Sequence, residues 1–510
     1  MVPPEGVSDG LEGRVNDFVQ WLFRDFQPSI PRGPKVINDS LLGNQFFARH
    51  EVAVIDSPLL QRLKRIKQTG LVFQVFPSAR HSRFEHSLGV ATLAERCFAA
   101  IADRASLEGL PTPEHAARDR GDLAELRMAA LLHDVGHGLC SHLSEQIYQA
   151  HTDIKEFRNN PDYVRNSPGE ILSYLIVRSP KFKEWFEWVT RECNASLDLD
   201  VVCEIILGRH PDHKKHYLAQ IVSSPYDADK LDYIARDSYY CGLALTVDLP
   251  RFYSMISTTE FDGYRILVLR SYVPLEQILF SKMTLYGSVY HHHKVKCLDH
   301  MLRSLLTHIS SHPSSCSFRI REKAITFKEA VEFLYVTDDE FFNDLHVKGD
   351  EFVLSALNRF RRRDLLSRAL EISRRTVRNW DDHVRKGLID LSVKHARLSQ
   401  IEASIYEGLP AKVKGDCAPG DVLLSVPPPP KLKGDHAFIQ TDNSAKPETI
   451  EGFFPLEQWS DSYSHSKWRS FVFAPRDQRA AVRTSALAVL KDEIGLDVDA
   501  TISDQACHIS

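Results

Sequence analysis

The stretch Leu131-Leu132-His133-Asp134-Val135-Gly136-His137-Gly138 closes an apolar helical run, Leu123 to Leu132, on an adjacent imidazole and carboxylate. Two distant stretches carry the same chemistry, Arg83-Phe84-Glu85-His86-Ser87-Leu88-Gly89 and Asp227-Ala228-Asp229-Lys230-Leu231-Asp232-Tyr233. His86, His133, Asp134 and Asp229 therefore occur in the order H…HD…D, each in a helix-like context. A divalent cation needs such groups from different elements to meet at one point, so the fold must bring them together. The expected architecture is mainly α, a helical core built around that point. Imidazole with carboxylate suits Mn²⁺, Fe²⁺, Mg²⁺ or Zn²⁺ rather than a thiolate-loving ion. With four protein ligands, an ion that prefers six keeps positions for water and a phosphate oxygen, and polarises the phosphoryl group.

Outward from this core, Leu59, Leu60, Leu63 and Ile66 share one helical face, as do Leu88, Val90, Leu93, Ala94 and Cys97. Helical patterns recur over 169–178, 198–208, 217–240 and 274–310, and Val15 to Phe26 is amphipathic. Strand character is read at Lys35 to Asp39 and again at Glu51 to Asp56. Asp56 is expected to cap the helix beginning near Pro58. Residues 318–415 stay helical but more charged, and the arginines around Phe360, from Arg359 to Arg363, read as a solvated helix face. Pro427 to Pro430 cannot lie inside a helix and marks a linker. Beyond it Ser470 to Pro475 reads as a strand, and Arg479 to Ile494 as a helix stopped by Gly495. The expected division is an extension over 1–33, a core over 34–310, a helical extension over 311–415, a Pro-rich linker over 416–450 and a small α+β lobe over 451–510.

Composition narrows the class. The 510 residues exceed one ordinary core, and 43% hydrophobic content is ample for burial. A net charge of −5 gives no electrostatic footprint for nucleic acid. The nine cysteines form no CxxC pair and read as reduced thiols of a cytoplasmic protein. No apolar run approaches the ~18 residues of a membrane helix, and Met1-Val2-Pro3-Pro4-Glu5 lacks the basic and apolar regions of a signal peptide.

On these motifs and flanks the chain resembles the HD-domain phosphohydrolases, and most closely the deoxynucleoside triphosphate triphosphohydrolases of the sterile-alpha-motif-and-HD type; no sterile-alpha-motif domain fits before residue 30. The resemblance covers residues 34–310 well and the remainder loosely. It implies one divalent metal per subunit on His86, His133, Asp134 and Asp229. It implies proton transfer by His137, His142 and Glu145, with glutamate where the family usually has aspartate. His137 follows His133 by four and is expected on the same helical face; His142 and Glu145, three apart, share another. Arg83, three before His86, can offer phosphate a bidentate fork. The resemblance assigns Lys230 to phosphate, Tyr233 and Asp237 to the sugar, and Gln68 to packing against the deoxyribose, and His291 is expected to point at the pocket. The chain departs from the family at Thr69 (usually leucine), Asn166 (a histidine position) and Met283 (often arginine). Lys35, Val36, Asn38, Asp56, Gln61 and Lys64 match positions that bind an activating nucleotide between subunits, which implies a homo-oligomer, dimer or tetramer.

Three readings follow. The first is a metal-dependent enzyme converting dNTP and water to deoxynucleoside and inorganic triphosphate. The second is an HD phosphodiesterase or nuclease on nucleic acid or another nucleotide; the negative charge and the missing Gly-Tyr-Pro signature of the cyclic-dinucleotide class oppose it. The third, suggested by Asn166 and Met283, is a nucleotide-sensing HD protein with weakened catalysis.

Overall fold

The computed structural model describes residues 10–108, 118, 120–245, 247–343, 347–428, 437–441, 444 and 446–508. Met1 to Glu5 and most of the linker's Pro-Lys run, 429–436, lie outside them. The protein is mainly α, and it gathers into two units that alternate along the chain. The first takes residues 1–282, 313–348 and 433–454; the second takes 283–312, 349–432 and 455–510.

The first unit is a helical core. Helix α1 (Leu11–Phe23) buries Leu11, Val15, Phe18 and Val19, a single stripe. Strands β1 (Lys35–Asp39) and β2 (Gly43–Phe47) pair antiparallel. Helices α2 (Arg49–Ile55), α3 (Pro58–Leu63), α4 (Arg83–Leu107), α5 (Gly121–Leu132) and α6 (His142–Tyr148) follow. The Glu85 carboxylate accepts the Ser82 N–H at 2.6 Å, so α4 starts with its exposed backbone donor satisfied. Among later helices, Ala228–Cys241 packs closely on α4. Gly89 permits this approach, since a Cβ there would stand 2.0 Å from Asp232 Oδ1. Arg127 on α5 is fully buried; it donates to Glu51 of α2 through Nε (2.6 Å) and Nη2 (3.0 Å), and to Glu95 of α4 at 2.5 Å. Removing one partner of such a buried pair costs about 3–5 kcal/mol.

Several expectations need correction. Residues 49–55 form a helix, not a strand: Glu51 accepts the Ala48 N–H at 2.7 Å, as an N-terminal cap does, and Arg127 holds the same carboxylate inside. Ser57, not Asp56, precedes the next helix, and Asp56 instead pairs with Lys35 at 2.6 Å. The run 217–240 is two helices, His216–Val222 and Ala228–Cys241, because Pro225 interrupts it. The run 274–310 breaks at a π-helical turn, Tyr286–Tyr290, before His293–Ser311.

In the second unit the strand Ser470–Ala474 lies between Ser367–Ile372 and Leu423–Ser425, antiparallel to both. Helix Arg479–Ile494 ends on Gly495 at φ 69°, as its sequence predicts. Leu370, Val472, Val482, Ile401 and Leu490 belong to its core. Arg361, Arg362 and Arg363 face outward.

Candidate active site

Three separate elements of the first unit deliver the four H…HD…D residues. His86 lies on the first turn of α4, His133 is the residue on which α5 ends, Asp134 follows it, and Asp229 opens the helix Ala228–Cys241. One donor atom each from His86, His133 and Asp229 lies within 4.8 Å of the others. His86 Nε2 is 3.0 Å from Asp229 Oδ1 and 3.5 Å from Asp134 Oδ2. His133 Nε2 is 3.4 Å from Asp134 Oδ1 and 4.0 Å from Asp229 Oδ1.

What sits behind each imidazole decides what its front can do. His86 Nδ1 bonds Asp232 Oδ2 at 2.8 Å, and His133 Nδ1 bonds the Ala130 carbonyl oxygen at 2.8 Å. Carboxylate and carbonyl only accept, so each ring carries its proton on Nδ1 and turns an Nε2 lone pair inward. Both Nε2 atoms are buried and make no hydrogen bond. Two inward lone pairs beside two carboxylates fit a divalent cation. The electrostatics agree: burial disfavours a charged His86, yet the carboxylates of Asp229, Asp232 and Asp134 outweigh it and push its pKa up to about 10, so in the absence of an ion Nε2 holds a second proton that a divalent cation would displace. This is a place that draws positive charge.

The sequence reading assigns Asp232 and Arg236 no role in the site. Both are buried. Arg236 grips Asp232 through Nε (2.8 Å) and Nη2 (2.9 Å) and reaches Asp39 of β1 at 2.8 Å. The line Asp39–Arg236–Asp232–His86 thus fixes the ring's orientation. The signal in the sequence was weak: Asp232 follows Asp229 by one helical turn, but its partner is 146 residues away.

A second cluster adjoins the first. α5 stops at Leu132, so His137 comes from a turn and not from His133's helical face; Gly136 and Gly138 flank it. His137 Nδ1 lies 3.1 Å from Asp134 Oδ1, and its Nε2 lies 3.8 Å from Glu145 Oε2. His142 and Glu145 do share a face of α6, with Nδ1 and Oε2 2.8 Å apart. Glu145 also accepts the Gly169 N–H at 3.1 Å, and a Cβ on Gly169 would stand 2.8 Å from the His137 ring. Burial would raise the Glu145 pKa, but the His142 hydrogen bond and nearby imidazoles bring it down to about 2. His137 is lowered by burial and by the Arg83 charge. The cluster therefore holds a carboxylate beside an uncharged imidazole.

Arg83 donates to Asp134 through Nη1 and to Ser141 Oγ at 2.8 Å, while its buried Nη2 has no partner. Cys140 and Ser141 both take positive φ, 53° and 54°. Lys230 bonds Asp227 at 2.7 Å. Asp237 is buried against His81 Nε2 at 2.7 Å, and His81 stacks on Tyr240; no motif or spacing points to His81. Tyr233 is half-buried and Gln68 is buried with Oε1 unpaired. Asn166 is buried, with Nδ2 bonded to Glu170 and the Leu207 carbonyl. His291 belongs to the second unit, where burial lowers its pKa to about 3. Lys35, Val36, Asn38, Asp56 and Lys64 lie on the surface of the first unit, and Gln61, half-buried, bonds the Ile55 carbonyl at 2.8 Å.

Residues 83–237 match the HD domain family, and residues 248–497 match the HD associated region. Over 478 residues the chain is 25% identical to an uncharacterized protein of Methanocaldococcus jannaschii, covering 93% of this chain and 87% of that protein. It is 28% identical over 286 residues to a deoxynucleoside triphosphate triphosphohydrolase SAMHD1 homolog of Dictyostelium discoideum, covering 56% of this chain and 51% of the relative. It is 30% identical over 243 residues to the human deoxynucleoside triphosphate triphosphohydrolase SAMHD1, covering 45% of this chain and 37% of the relative. The chain thus spans about half or less of the triphosphohydrolases it matches. With the HD pair and its partners gathered in the matched segment, the chain belongs to the HD-domain proteins, its HD domain at residues 83–237 followed by an HD-associated region.

Proposed function

We propose that the protein is a metal-dependent dNTP triphosphohydrolase, turning dNTP and water into deoxynucleoside and inorganic triphosphate. The observation that carries this reading is the pair of inward, unbonded Nε2 atoms of His86 and His133 beside Asp134 and Asp229. The relatives named as triphosphohydrolases supply the substrate class. His86, His133, Asp134 and Asp229 would hold one divalent ion, Mn, Fe, Mg or Zn. Such an ion, when bound, polarises the phosphoryl oxygen and favours attack at phosphorus.

The remaining work falls to this chain's own side chains. Arg83 offers its free Nη2 to a phosphate oxygen, and Lys230 adds charge toward the phosphate tail. Water adds at the α-phosphorus, and the bond from that phosphorus to the sugar's 5′ oxygen breaks. Glu145 stays ionised and orients His142, which gives a proton to the departing 5′ oxygen; His137, kept neutral, can take one from water. Tyr233, Asp237 and Gln68 would face the deoxyribose. Thr69 in the family's leucine position bears on sugar choice.

Control is part of the proposal. Lys35, Val36, Asn38, Asp56, Gln61 and Lys64 would bind an activating nucleotide between subunits of a homo-oligomer, dimer or tetramer. No helix among the described residues is long and apolar enough to cross a membrane, and the nine cysteines are all free, which supports a reducing, cytoplasmic setting.

The test is to incubate the full chain with each dNTP, each NTP and a single-stranded oligonucleotide, with Mn²⁺ or Mg²⁺. Deoxynucleoside release from dNTP, lost together with bound metal in His133→Ala/Asp134→Ala, is expected. Cleavage of the oligonucleotide alone would favour the nuclease reading, and binding without turnover the sensing one.

A further inference from the structure

The first unit contains a cavity of about 560 Å³ that none of the chemistry above uses. Trp21 of α1, Arg62 of α3, Arg65 just beyond it, Arg319 and Arg321 of the hairpin 317–325, and Tyr335 line it. Four guanidinium groups face one lining carboxylate, Glu340, which already accepts Thr337 N–H at 2.9 Å and lies 3.7 Å from Arg65.

Three of these arginines are placed in ways that packing alone does not require. Arg62 is buried (7% exposed) and donates to three carbonyl oxygens: Leu334 at 3.3 Å, Val135 at 2.6 Å and His137 at 2.9 Å. It has no carboxylate partner among the described residues, and its Nε is unbonded. Glu340 opposes its burial only through space, and a buried cation without an ion pair is costly. Burial accordingly lowers its pKa to about 10. Arg319 lies on the strand paired to Ala324, and its side chain is exposed and makes no hydrogen bond or ion pair among the described residues. Arg321 is the first residue of a two-residue hairpin turn, since Ile320 pairs with Lys323, and it takes φ 53°, where glycine is favoured. That strained backbone carries its guanidinium to 4.8 Å over the Trp21 ring, with Asp25 at 3.3 Å. A non-glycine residue held at positive φ is an observation from which function can be inferred.

We propose that this cavity binds a small, multiply charged phosphate anion, with Arg65, Arg319 and Arg321 as its ligands and Arg62 as the buried charge it neutralises. The anion is either free polyphosphate or the phosphate tail of a nucleotide. Gln61 is the only residue the cavity shares with the proposed inter-subunit nucleotide patch. Arg62 links the cavity to the turn after His133 and Asp134, because it holds the Val135 and His137 carbonyls. An occupant would therefore act on the residues that carry the HD pair without touching them.

The test titrates the full chain, in about 0.15 M salt to screen loose attraction, with inorganic tripolyphosphate and, separately, with adenosine diphosphate. Calorimetry and Trp fluorescence are the readouts. One class of sites should survive in His133→Ala/Asp134→Ala and in Asp56→Ala, and weaken at least tenfold in Arg319→Ala/Arg321→Ala, given the strength of hydrogen bonds to charged groups. Trp21→Phe should remove its fluorescence change. Arg319→Glu serves if the double variant misfolds, because Arg319 supports nothing else. Equal affinity for both probes identifies phosphate alone as the ligand, and tighter adenosine diphosphate a nucleotide. Unchanged binding in both arginine variants, or binding lost only in the HD variant, overturns the site.

Discussion

Asp232→Asn separates a metal centre from a mere cluster of polar residues, because Asp232 touches no ion in the proposed ligand set. Its carboxylate accepts from His86 Nδ1 and from two Arg236 donors at 2.8–2.9 Å, inside a fully buried setting. An amide of the same shape has one acceptor oxygen: in the Oδ1 place it leaves both His86 Nδ1 and Arg236 Nε without an acceptor, and in the Oδ2 place it leaves only Arg236 Nη2 without one. If His86 loses its acceptor, the ring is free to turn or to move its proton to Nε2, the atom that faces the site. Loss of such an orienting partner lowers metal affinity by about 10- to 100-fold, or ~1.4–2.8 kcal/mol. If Arg236 loses it, the cost is one of folding, up to about 3–5 kcal/mol for a broken buried pair. The two are told apart by measuring metal content by elemental analysis, metal affinity by competition with a chelator, and thermal unfolding with and without added Mn²⁺. The expected result is weaker metal binding and a smaller metal-induced rise in Tm. A variant that folds, binds metal as tightly as the wild type and gains as much stability from it would refute the orienting role.

Glu145→Gln should leave metal content unchanged and slow turnover by about 10²–10⁴-fold, the usual range for a lost acid–base group; wild-type turnover would remove Glu145 from the proton pathway. The same variant carries a pH signature. The folded-state pKa is depressed from 4.5 to about 2, so its stabilisation is complete above about pH 4.5 and is lost as pH falls toward 2. The wild type should therefore exceed Glu145→Gln in stability by about 3 kcal/mol at neutral pH, converging in acid; a gap that does not narrow by pH 3 would contradict this. Asp56→Ala should blunt nucleotide activation while sparing metal content, and cost under about 1 kcal/mol of stability because the Lys35 pair is exposed. A monomer at every nucleotide concentration, by light scattering, would end the regulatory reading.

The mainly helical fold was legible wherever periodicity and punctuation agreed. Leu123 to Leu132 and Arg479 to Ile494 form the helices their apolar spacing predicts, the latter stopped by Gly495. Errors arose where a tertiary contact overrode local preference. Val52, Val54 and Ile55 favour a strand, yet Glu51 is claimed by both the Ala48 N–H and Arg127, and the segment winds into a helix. Pro225 was a visible breaker in 217–240 that the periodicity obscured. The site divides in the same way. The sequence order singled out His86, His133, Asp134 and Asp229, and the fold draws them together. Asp232 and His81 could not be read, since their partners lie 146 and 156 residues away and only folding creates the pairs. His137 reached the site by a turn between two glycines, where a continued helix was expected.

The central claim concerns which bond breaks. Phosphorus NMR of the purified protein with one dNTP and Mn²⁺ reads this directly, because triphosphate, diphosphate and monophosphate give separate resonances. Inorganic triphosphate is expected as the sole new phosphorus species, rising in step with free deoxynucleoside and absent with His133→Ala/Asp134→Ala. Pyrophosphate with deoxynucleoside monophosphate, or orthophosphate with the diphosphate, would contradict it.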